Sequence, residues 1–460
     1  MDKRINYKIN LDTIFASASS IGLSAIKVIR ISGNQTKQIF KVLTKKKLPK
    51  GRYCNLFNLY DIKTSELIDK AIIVWFPAPK TYTGENMLEI SIHGGNSVLE
   101  HLVENLLSIK KVREAKPGEF TRRAFENNKM DLLEAEGVTD LINAETKFQK
   151  TLALNQVNGS LSKVFNKWSS KLLKLLAYYE GQIDFADDEV PENTDKKVLL
   201  QVTDLIKEIE FFLSEEKRGD IIRSGVDIVI IGKPNVGKSS LMNQIAKKDI
   251  SIVSKTSGTT RDIIETKINL SNIPVIFSDS AGLKNKPKNN IEKLGILKVK
   301  KRMKNSNIKL LVLDVTKNFE ENLIKLICNK TIIILNKIDL IKKQNIISKI
   351  NYLKKKNFIN IYSVSAKKGI GINSLLKNLE NYIKDRYKKV FFGDPVLTKS
   401  RHRFALKKCL NNLKKLNTNK DPELNAEDLR LALNLLGNIT GKYDIEKMLD
   451  IVFKDFCIGK

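Results

Sequence analysis

Residues Gly232–Ser239 have the residue types and spacing of a phosphate-binding loop, GxxxxGK[ST]. The segment follows an apolar run typical of a strand and precedes an apolar stretch of helical period, which is the context the motif requires. Its glycines let backbone N–H groups curl around phosphate oxygens, Lys238 would bring positive charge to the β- and γ-phosphates, and the Ser239 hydroxyl would bind Mg²⁺. A glycine-containing turn without a ligand is the alternative, and the spacing and flanks favour nucleotide binding.

Two later segments indicate which nucleotide is bound. Asn336–Asp339 follows the apolar run Thr331–Leu335, and its aspartate can accept hydrogen bonds from the ring N–H and the exocyclic amine of guanine. Adenine would place an acceptor against that carboxylate and leave its charge unpaired. Ser365–Lys367 follows a further apolar run and is typical of a loop that closes over a base. The sequence therefore predicts that the nucleotide is GTP.

Two segments between these motifs have the character of switch loops. Asp279–Gly282 follows the strand-like run Val275–Phe277 and would place a carboxylate near the metal and a glycine N–H near the γ-phosphate. Gly258–Asp262 would bring a threonine, Thr260, to Mg²⁺. Taken alone, the second segment is equally typical of a polar surface loop. We therefore treat Ser239 and Thr260 as the candidate magnesium ligands.

The sequence lacks the usual residue for orienting the attacking water. Leu283 follows Gly282, where many GTPases have a glutamine, so hydrolysis needs another group. Glu292 is the nearest carboxylate beyond this point and could polarise a water through a second water. A solvated glutamate at the start of a helix is the alternative for Glu292.

The predicted GTP contacts lie in these motifs and directly beside them. They are Asn235, Val236, Gly237, Lys238, Ser239, Ser240, Ser254, Lys255, Thr256, Ser257, Gly258, Thr259, Thr260, Asp279, Ser280, Ala281, Gly282, Asn336, Lys337, Ile338, Asp339, Ser365, Ala366 and Lys367.

Several kinds of structure are needed to position these residues. Residues 1–127 mix β-branched runs with turns and two helical stretches, which predicts an α+β domain. Residues 128–220 have helical period, as along Leu152–Tyr178, and helical period returns in residues 389–460. Residues 221–388 alternate strands with helices, the pattern of a Ras-like parallel sheet. The sequence thus predicts a multidomain protein in which an α/β P-loop GTPase domain is inserted into an all-α domain.

The charge balance is strongly basic. Lys and Arg number 81 against 51 Asp and Glu, a net charge of +30, which would suit a polyanionic partner such as RNA. Lys, Asn and Ile are abundant throughout, so codon bias in an AT-rich genome explains the charge equally well. Basic runs at Lys298–Lys304, Lys354–Lys356 and Arg401–Lys415 could follow RNA phosphates or form solvated helix faces.

The cysteines and the hydropathy pattern exclude other classes. The four cysteines lack CxxC spacing, which predicts neither a disulfide framework nor a zinc module. Residues Met1–Asn6 lack the apolar core of a signal peptide, and no apolar run reaches the roughly 18 residues of a membrane span. These features predict a cytoplasmic protein that does not bind a membrane.

Further motifs carry a resemblance along the entire chain. The N-terminal part contains Ile29–Gly33, Tyr82–Glu85, His93–Gly95 and Pro117–Phe120, and the chain ends with Phe456–Lys460. With the nucleotide motifs, these segments resemble the MnmE (TrmE) family of tRNA-modification GTPases. The C-terminal segment is the most discriminating, since other GTPases share the nucleotide motifs.

The resemblance implies an assembly and a reaction. It implies a homodimer formed through N-terminal folate-binding domains, with G domains that meet across a potassium ion during GTP hydrolysis. It also implies an FAD-containing partner of the MnmG type, in a heterotetramer or larger complex, and tRNA as substrate. The family adds a carboxymethylaminomethyl or aminomethyl group at carbon 5 of the wobble uridine of certain tRNAs. A tetrahydrofolate derivative, 5-formyl or methylene, supplies the one-carbon unit.

The resemblance also implies roles for individual residues. Glu292 matches the catalytic glutamate of the family. A cation that bridges phosphates can do the electrostatic work of an arginine finger. The positions that match the family's potassium contacts are Asn235, Ser254, Thr256 and Thr259. The positions that match its folate-binding residues are Arg30, Glu89 and Lys129, with Lys460 at the end of the C-terminal segment.

A ribosome-assembly GTPase that acts as an RNA-binding switch is the alternative function. Such a protein would share every nucleotide motif. That class usually has a KH-like module after the G domain, and residues 390–460 contain no GxxG loop. The sequence therefore favours the tRNA-modification GTPase.

Overall fold

The structure is a computed structural model of the 460-residue chain. It describes residues 12–20, 22–184, 194–214, 219, 221, 225–247, 265–270, 272–279, 306–319, 330–386, 395–417, 420–442 and 459. The described residues form two compact units. The first comprises those within Met1–Ile142, Leu154–Leu199 and Asn411–Lys460, and the second those within Asn143–Ala153 and Leu200–Leu410. The four domain boundaries given above stay predictions.

A six-stranded mixed sheet lies in the N-terminal part of the first unit. Its strands are β1 (Thr13–Ser17), β2 (Ile26–Ser32), β3 (Cys54–Tyr60), β4 (Leu67–Phe76), β5 (Met87–His93) and β6 (Val112–Glu114). The strand order is β3-β4-β5-β2-β1-β6, and neighbours are antiparallel except β1 and β6, which are parallel. The predicted α+β character of this part is confirmed.

Twelve helices of the described residues are named here in chain order. They are α1 (Thr36–Thr44), α2 (Asn96–Leu107), α3 (Glu119–Glu126), α4 (Leu132–Ile142), α5 (Lys147–Val157), α6 (Ser160–Asp184), α7 (Thr194–Ser214), α8 (Lys238–Ala246), α9 (Lys343–Lys355), α10 (Ile372–Arg386), α11 (Ser400–Leu413) and α12 (Pro422–Thr440). In the first unit α12 packs along α6. The predicted helical part is therefore present.

The helical segment predicted across Leu152–Tyr178 is divided in two. Helix α5 ends at Val157 and α6 begins at Ser160. Gly159 between them has φ +78°, and a Cβ there would lie 2.9 Å from the Glu134 carboxylate. The left-handed backbone and the close approach both require glycine, so the break has a local cause.

Alternation of side chains gives the N-terminal sheet two different faces. Ile29 and Ile31 of β2 and Ile90 of β5 are buried in one core with Phe40 of α1. Helices α1 and α2 and the other strands of the sheet contribute further residues to that core. Successive side chains in a strand point to opposite faces. The residues directly next to these isoleucines along each strand therefore lie on the other face of the sheet.

The second unit contains a six-stranded sheet of the predicted parallel type. Its strands are β7 (Val226–Ile231), β8 (Glu265–Leu270), β9 (Ile273–Asp279), β10 (Ile308–Asp314), β11 (Thr331–Asn336) and β12 (Ile361–Val364). The order is β12-β11-β10-β7-β9-β8, and all neighbours are parallel except β8 and β9. The predicted strand Thr331–Leu335 is confirmed as β11 to within one residue, and the predicted strand Val275–Phe277 lies inside β9, which extends two residues further at each end.

Both faces of this sheet are buried, which explains its nearly continuous apolar strands. Ile228 and Ile230 belong to the core on one face, and Val229 and Ile231 to the core on the other. The sheet is therefore a rigid layer whose strand ends can hold loops in fixed positions. In the described part of the chain, no helix has both the length and the apolar character to cross a bilayer.

Candidate nucleotide-binding site

The parallel strands bring distant segments to one edge of the sheet. The register pairs Asp314 at the end of β10 with Asn336 at the end of β11, and Asn336 with Val364 of β12. It also pairs Ile230 of β7 with Asp279 of β9. Ligands of open α/β sheets bind at the carboxyl ends of the strands. The loops that follow β7, β11 and β12 thus share one edge, as the sequence motifs require.

The phosphate loop has the backbone geometry of an anion site. It runs from the end of β7 to Gly237, which caps the N-terminus of α8 with φ +95°. Asn235 also has a positive φ of 63°. A Cβ on Gly237 would lie 2.2 Å from Asn336 Nδ2, and one on Gly232 would lie 2.5 Å from the Val312 carbonyl oxygen. The loop therefore fits between two strands because these positions have no side chain.

Lys238 holds the phosphate loop from inside. Its ammonium donates hydrogen bonds to the carbonyl oxygens of Gly232 (3.0 Å) and Lys233 (2.9 Å). The residue is only 8% exposed although it is charged. The N-terminus of α8 adds the positive end of the helix dipole at the same place. Positive charge and N–H donors are thus concentrated where a phosphate chain would bind.

The buried amide of Asn336 joins the phosphate loop to the base-side loop. Its Nδ2 donates to the Val236 carbonyl (2.8 Å), and its Oδ1 accepts from the backbone N–H of Ala366 (2.9 Å). Asn336 is 2% exposed, so both bonds are shielded from water. The sequence predicted Asn336 as a nucleotide contact. Its positioning of two loops depends on tertiary contacts and was missed.

Asp339 has the electrostatics of a base-recognising carboxylate. A hydrogen bond from the Ser365 hydroxyl holds the pKa of Asp339 below its usual range, and Lys367 and Lys368 lower it further. Asp339 is therefore ionised at neutral pH and acts only as an acceptor. The edge of guanine offers two N–H donors to such a carboxylate.

Lys337 is anchored by an aspartate that the sequence did not single out. Its Nζ lies 2.7 Å from Asp314 Oδ2, and the Thr316 hydroxyl donates to Asp314 Oδ1 at 2.6 Å. Burial would raise the pKa of Asp314, but the hydrogen bonds from Lys337 and Thr316 outweigh it and hold that pKa below its usual value. The position of Asp314 at the end of a buried strand is the sequence signal that could have identified it.

A cavity of about 500 Å³ lies among these loops. It is lined by Asn235, Gly237, Lys238, Ser239, Ser240, Asn336, Lys337, Asp339, Leu340, Ser365, Ala366 and Lys367. Leu340 was not predicted. The side chains of Val236 and Ile338 pack into the apolar cores instead, so these two residues can offer only backbone atoms. A volume of this size is typical of a small-molecule site.

Several predicted site residues lie outside the described residues. They are Ser254, Lys255, Thr256, Ser257, Gly258, Thr259, Thr260, Ser280, Ala281, Gly282, Glu292 and Lys460, together with the basic run Lys298–Lys304. For Asp279 only the backbone is described. The roles of these residues stay predictions.

The first unit brings together part of the predicted folate set. Arg30 and Glu89 are direct cross-strand partners, and their side chains form an ion pair with an Nη2–Oε1 distance of 2.8 Å. The Arg30 guanidinium lies 5.6 Å from the ring centroid of Tyr82 and 5.9 Å from that of Phe120. Arg30 also donates a hydrogen bond to the carbonyl oxygen of Gly459 at 3.3 Å, so Gly459 lies beside the ion pair.

Lys129 is exposed on the same unit. A Cβ on Gly84 would lie 3.1 Å from its Cε, so the lysine side chain runs past the loop that contains Tyr82. Lys129 is thereby brought near that loop. The Lys129 ammonium is a cationic hydrogen-bond donor, which would suit a ligand with a carboxylate.

A buried ionic network positions the two aromatic residues. Arg123, whose side chain is 4% exposed, pairs with Glu85 at 3.0 Å and with Glu119 at 3.2 Å. Arg113 pairs with Glu119 at 2.7 Å. Glu85 lies three residues after Tyr82, and Glu119 directly precedes Phe120, so the network ties their segments together. The sequence motifs contained both glutamates, but their arginine partners were missed.

Comparison with known proteins gives consistent matches along the chain. The family model of the MnmE helical domain matches residues 132–457, and the model of the GTP-binding protein TrmE N-terminus matches residues 13–129. A Rickettsia bellii protein named tRNA modification GTPase MnmE is 40% identical over 453 residues, which are 98% of this chain and 100% of that protein. A Pelagibacter ubique protein of the same name is 41% identical and covers 97% of this chain and 100% of its own.

Proposed function

Since this chain belongs to the MnmE family of tRNA modification GTPases, we propose that it hydrolyses GTP to drive the modification of carbon 5 of the wobble uridine in certain tRNAs. The added group is of the carboxymethylaminomethyl or aminomethyl type. A homodimer of this chain works in the cytoplasm with an FAD-containing partner of the MnmG type, and a tetrahydrofolate derivative supplies the one-carbon unit. Hydrolysis is stimulated by potassium.

The proposal is supported most directly by the Asn336 bridge and the Asp339 carboxylate beside it. One buried amide holds the phosphate loop against Ala366, so the spacing between the phosphate side and the base side of the cavity is set before a ligand binds. Preorganised contacts of this kind reduce the ordering that binding requires. With Asp339 ionised, the base side selects guanine through two N–H groups.

The described residues divide the work of holding the triphosphate. Lys238 and the N–H groups at the start of α8 contact the phosphate oxygens. To do so, the Lys238 ammonium gives up its hydrogen bonds to the two loop carbonyl oxygens and donates to phosphate oxygens instead. Ser239 lines the cavity and offers a hydroxyl oxygen, the hard ligand that Mg²⁺ prefers. Bound magnesium neutralises charge on the β- and γ-phosphates. Thr260 completes the proposed magnesium ligands.

The phosphate loop also fits a potassium ion. Asn235 lines the cavity with its backbone in the left-handed conformation, and its side-chain carbonyl is an oxygen ligand suited to a hard cation. Bound potassium supplies positive charge near the transferred phosphoryl group. Ser254, Thr256 and Thr259 are the other proposed potassium contacts, and Glu292 is proposed to position the attacking water.

The surroundings of Arg30 fit a folate in their chemistry. A flat heterocycle can stack against Tyr82 or Phe120, Glu89 can accept from its N–H groups, and Arg30 can meet a carboxylate. Bound folate carries the one-carbon unit. Because Arg30 already bonds to Glu89 and Gly459, these residues hold each other in position for the ligand.

The open face of the N-terminal sheet supports a homodimer. Leu56 of β3 and Ile72 of β4 are direct cross-strand partners, and they are 68% and 46% exposed. Strand β3 is the edge of that sheet. An apolar pair on a sheet edge is a surface that a second copy can cover.

The proposed potassium role predicts a salt-specific GTPase. We expect turnover in KCl to exceed turnover in NaCl by at least about ten-fold, because the cation acts where an arginine finger would. Asn235→Gly keeps the left-handed backbone but removes the side-chain oxygen, so this stimulation should disappear while GTP affinity changes little. Steady-state phosphate release in the two salts is the measurement.

The matched control for this prediction is Asn243→Ala, an exposed position on α8. It should keep the full potassium stimulation. Equal turnover of the wild type in both salts would remove the potassium role, and stimulation that survives in Asn235→Gly would remove this residue from the site.

The proposed modification predicts a change in cellular tRNA. In cells depleted of this protein, the C5 group of the wobble uridine should be lost, because the proposed reaction depends on GTP hydrolysis by this chain. Mass spectrometry of tRNA nucleosides measures the loss, and re-expression of the wild type should restore it. Unchanged wobble uridines after depletion would exclude the modification role but would not contradict the proposed GTPase activity.

A further inference from the structure

Helix α9 and the segment after it carry an unusually uniform charge. Residues 340–379 contain nine lysines and no aspartate or glutamate. Four of these lysines, Lys342, Lys343, Lys354 and Lys355, are exposed at the two ends of the helix. The distance between the two ends follows from the rise of an α-helix, about 1.5 Å per residue, which gives about 17 Å between Lys343 and Lys354.

An exposed aromatic ring lies on the same helix. Tyr352 is 43% exposed, and the Lys356 ammonium lies 5.0 Å from its ring centroid. The Phe319 ring lies 6.4 Å from it between centroids, and Lys349 is 5.0 Å from Phe319. The tyrosine is thus supported by a neighbouring ring, and cations lie close to both rings. Stacking of a base on such a ring is favourable whatever the base is.

A shallow groove runs beside the tyrosine. It is lined by Gln344, Ile347, Ser348, Asn351, Tyr352 and Lys355, and its volume is about 590 Å³. The two amides and the hydroxyls offer both donors and acceptors for hydrogen bonds. Ile347, half exposed at 50%, provides an apolar contact. Polar, apolar and cationic groups are therefore mixed along one helix face.

We propose that this face of α9, together with the lysines at the two helix ends, is a binding surface for tRNA, in which Lys355 and the end residues Lys343 and Lys354 contact phosphates and Tyr352 stacks on an unpaired base. The inference deepens the proposed function, on which it rests. Lysines alone would suit any polyanion, but a ring with amides beside it suits RNA, whose unpaired bases stack on aromatic side chains. An anionic lipid surface would use the lysines and leave the ring without a specific role.

The surface adjoins the nucleotide site without overlapping it. The cavity residues end at Leu340, and the groove begins at Gln344, at the start of α9. Asp339 lies in the short 3₁₀ helix Ile338–Leu340 that leads to α9. RNA on this face would therefore lie against the element that follows the base-recognising carboxylate, and GTP and tRNA could bind together.

The first test neutralises the three lysines in the full-length chain. K343Q/K354Q/K355Q should bind an unmodified tRNA transcript about 100-fold more weakly at 0.1 M salt, and the two affinities should converge near 1 M. The slope of log affinity against log salt should fall by about two to three, since each lost phosphate contact lowers it by about 0.7 to 0.9. Fluorescence anisotropy at several KCl concentrations measures both.

The matched control removes the same charge elsewhere. Lys41, Lys46 and Lys47 are exposed on the first unit, and K41Q/K46Q/K47Q should keep tRNA affinity within about two-fold. Equal weakening by the two triple variants would show that only the net charge matters and would overturn the inference. GTP turnover without tRNA should be the same in both variants and in the wild type.

The second test concerns the tyrosine. Tyr352→Leu removes the aromatic face and should weaken tRNA binding by about ten-fold without changing the salt slope, whereas Tyr352→Phe should bind as the wild type does. Wild-type affinity in Tyr352→Leu would overturn the stacking contact. The contrast between the two variants separates stacking from the lysine contribution.

Two further outcomes separate this inference from the proposed function. If the wild type binds no tRNA while still hydrolysing GTP, the tRNA role fails as a whole, and this surface fails with it. If the wild type binds tRNA and the α9 triple variant binds it equally well, only this surface is wrong. If that variant keeps tRNA binding but loses binding to phosphatidylglycerol vesicles, this face binds an anionic lipid surface and not tRNA.

Discussion

Asp339→Asn is expected to weaken GTP binding by about 100- to 1000-fold. In the proposed function the ionised carboxylate accepts charge-assisted hydrogen bonds from two N–H groups of guanine, and both bonds depend on its negative charge. The replacement amide presents an N–H group to the exocyclic amine of the base, so two donors face each other. Calorimetric titration with a non-hydrolysable GTP analogue measures the loss.

The same variant should gain affinity for xanthosine triphosphate. Xanthine has a carbonyl where guanine has the amine, so the new amide N–H has an acceptor. Asp385→Asn makes the same chemical change at an exposed position of α10 and should leave GTP affinity unchanged. If Asp339→Asn bound GTP normally, or if the wild type did not prefer GTP to ATP, the assignment of this carboxylate would be wrong.

The lowered pKa of Asp339 sets the pH range over which this prediction holds. Because the Ser365 hydroxyl keeps that pKa below its usual value, the acceptor form persists at all pH values above about 5. The preference for GTP over ATP should therefore be constant from pH 6 to 8. Ser365 is fully buried, which keeps its hydroxyl in place beside the carboxylate.

Gly237→Ala is expected to lower GTP affinity by at least about 100-fold. The new Cβ would lie 2.2 Å from Asn336 Nδ2, and the backbone φ of +95° disfavours any residue with a side chain. The steric and backbone costs together are about 3 kcal/mol. Asn336 must move, which breaks its bonds to Val236 and Ala366 and leaves both loops free to shift.

Gly95→Ala is the matched control for this prediction. Gly95 caps the N-terminus of α2 as Gly237 caps α8, but its φ is −65° and a Cβ there meets nothing within 4 Å. GTP affinity should be unchanged, and thermal unfolding should shift by a few degrees at most. Normal GTP binding by Gly237→Ala would contradict the tight packing of the phosphate loop against β11.

The sequence predicted the parallel sheet well because its signal is local. Strands buried on both faces are nearly continuous apolar runs, and β7, β10 and β11 lie where those runs occur. The motif loops follow these strands directly, so their position at one edge of the sheet follows from parallel pairing. The break between α5 and α6 was missed, because a single glycine within a helical pattern is a weak signal without the contact to Glu134.

The network around Arg123 shows what local patterns leave open. Glu85 and Glu119 belong to motifs that were recognised, yet nothing in their neighbourhoods indicates which cations meet them. A charged residue is usually solvated, and only the folded chain shows that the Arg123 side chain is 4% exposed between two carboxylates. The ion pair between Asp314 and Lys337 likewise joins residues whose pairing only the folded chain shows.

Residue types and spacing along the chain determined the chemistry of this protein: a phosphate-binding glycine loop, a carboxylate that suits guanine, and the family to which the chain belongs. Each of these signals is recognised from residues that are close together in the sequence. Tertiary structure alone decided which groups hold that chemistry in place, because the partners are far apart in the chain. Asn336 and Val236 are separated by 100 residues, and Arg30 and Gly459 by 429. Only the packed sheets bring such pairs within hydrogen-bonding distance.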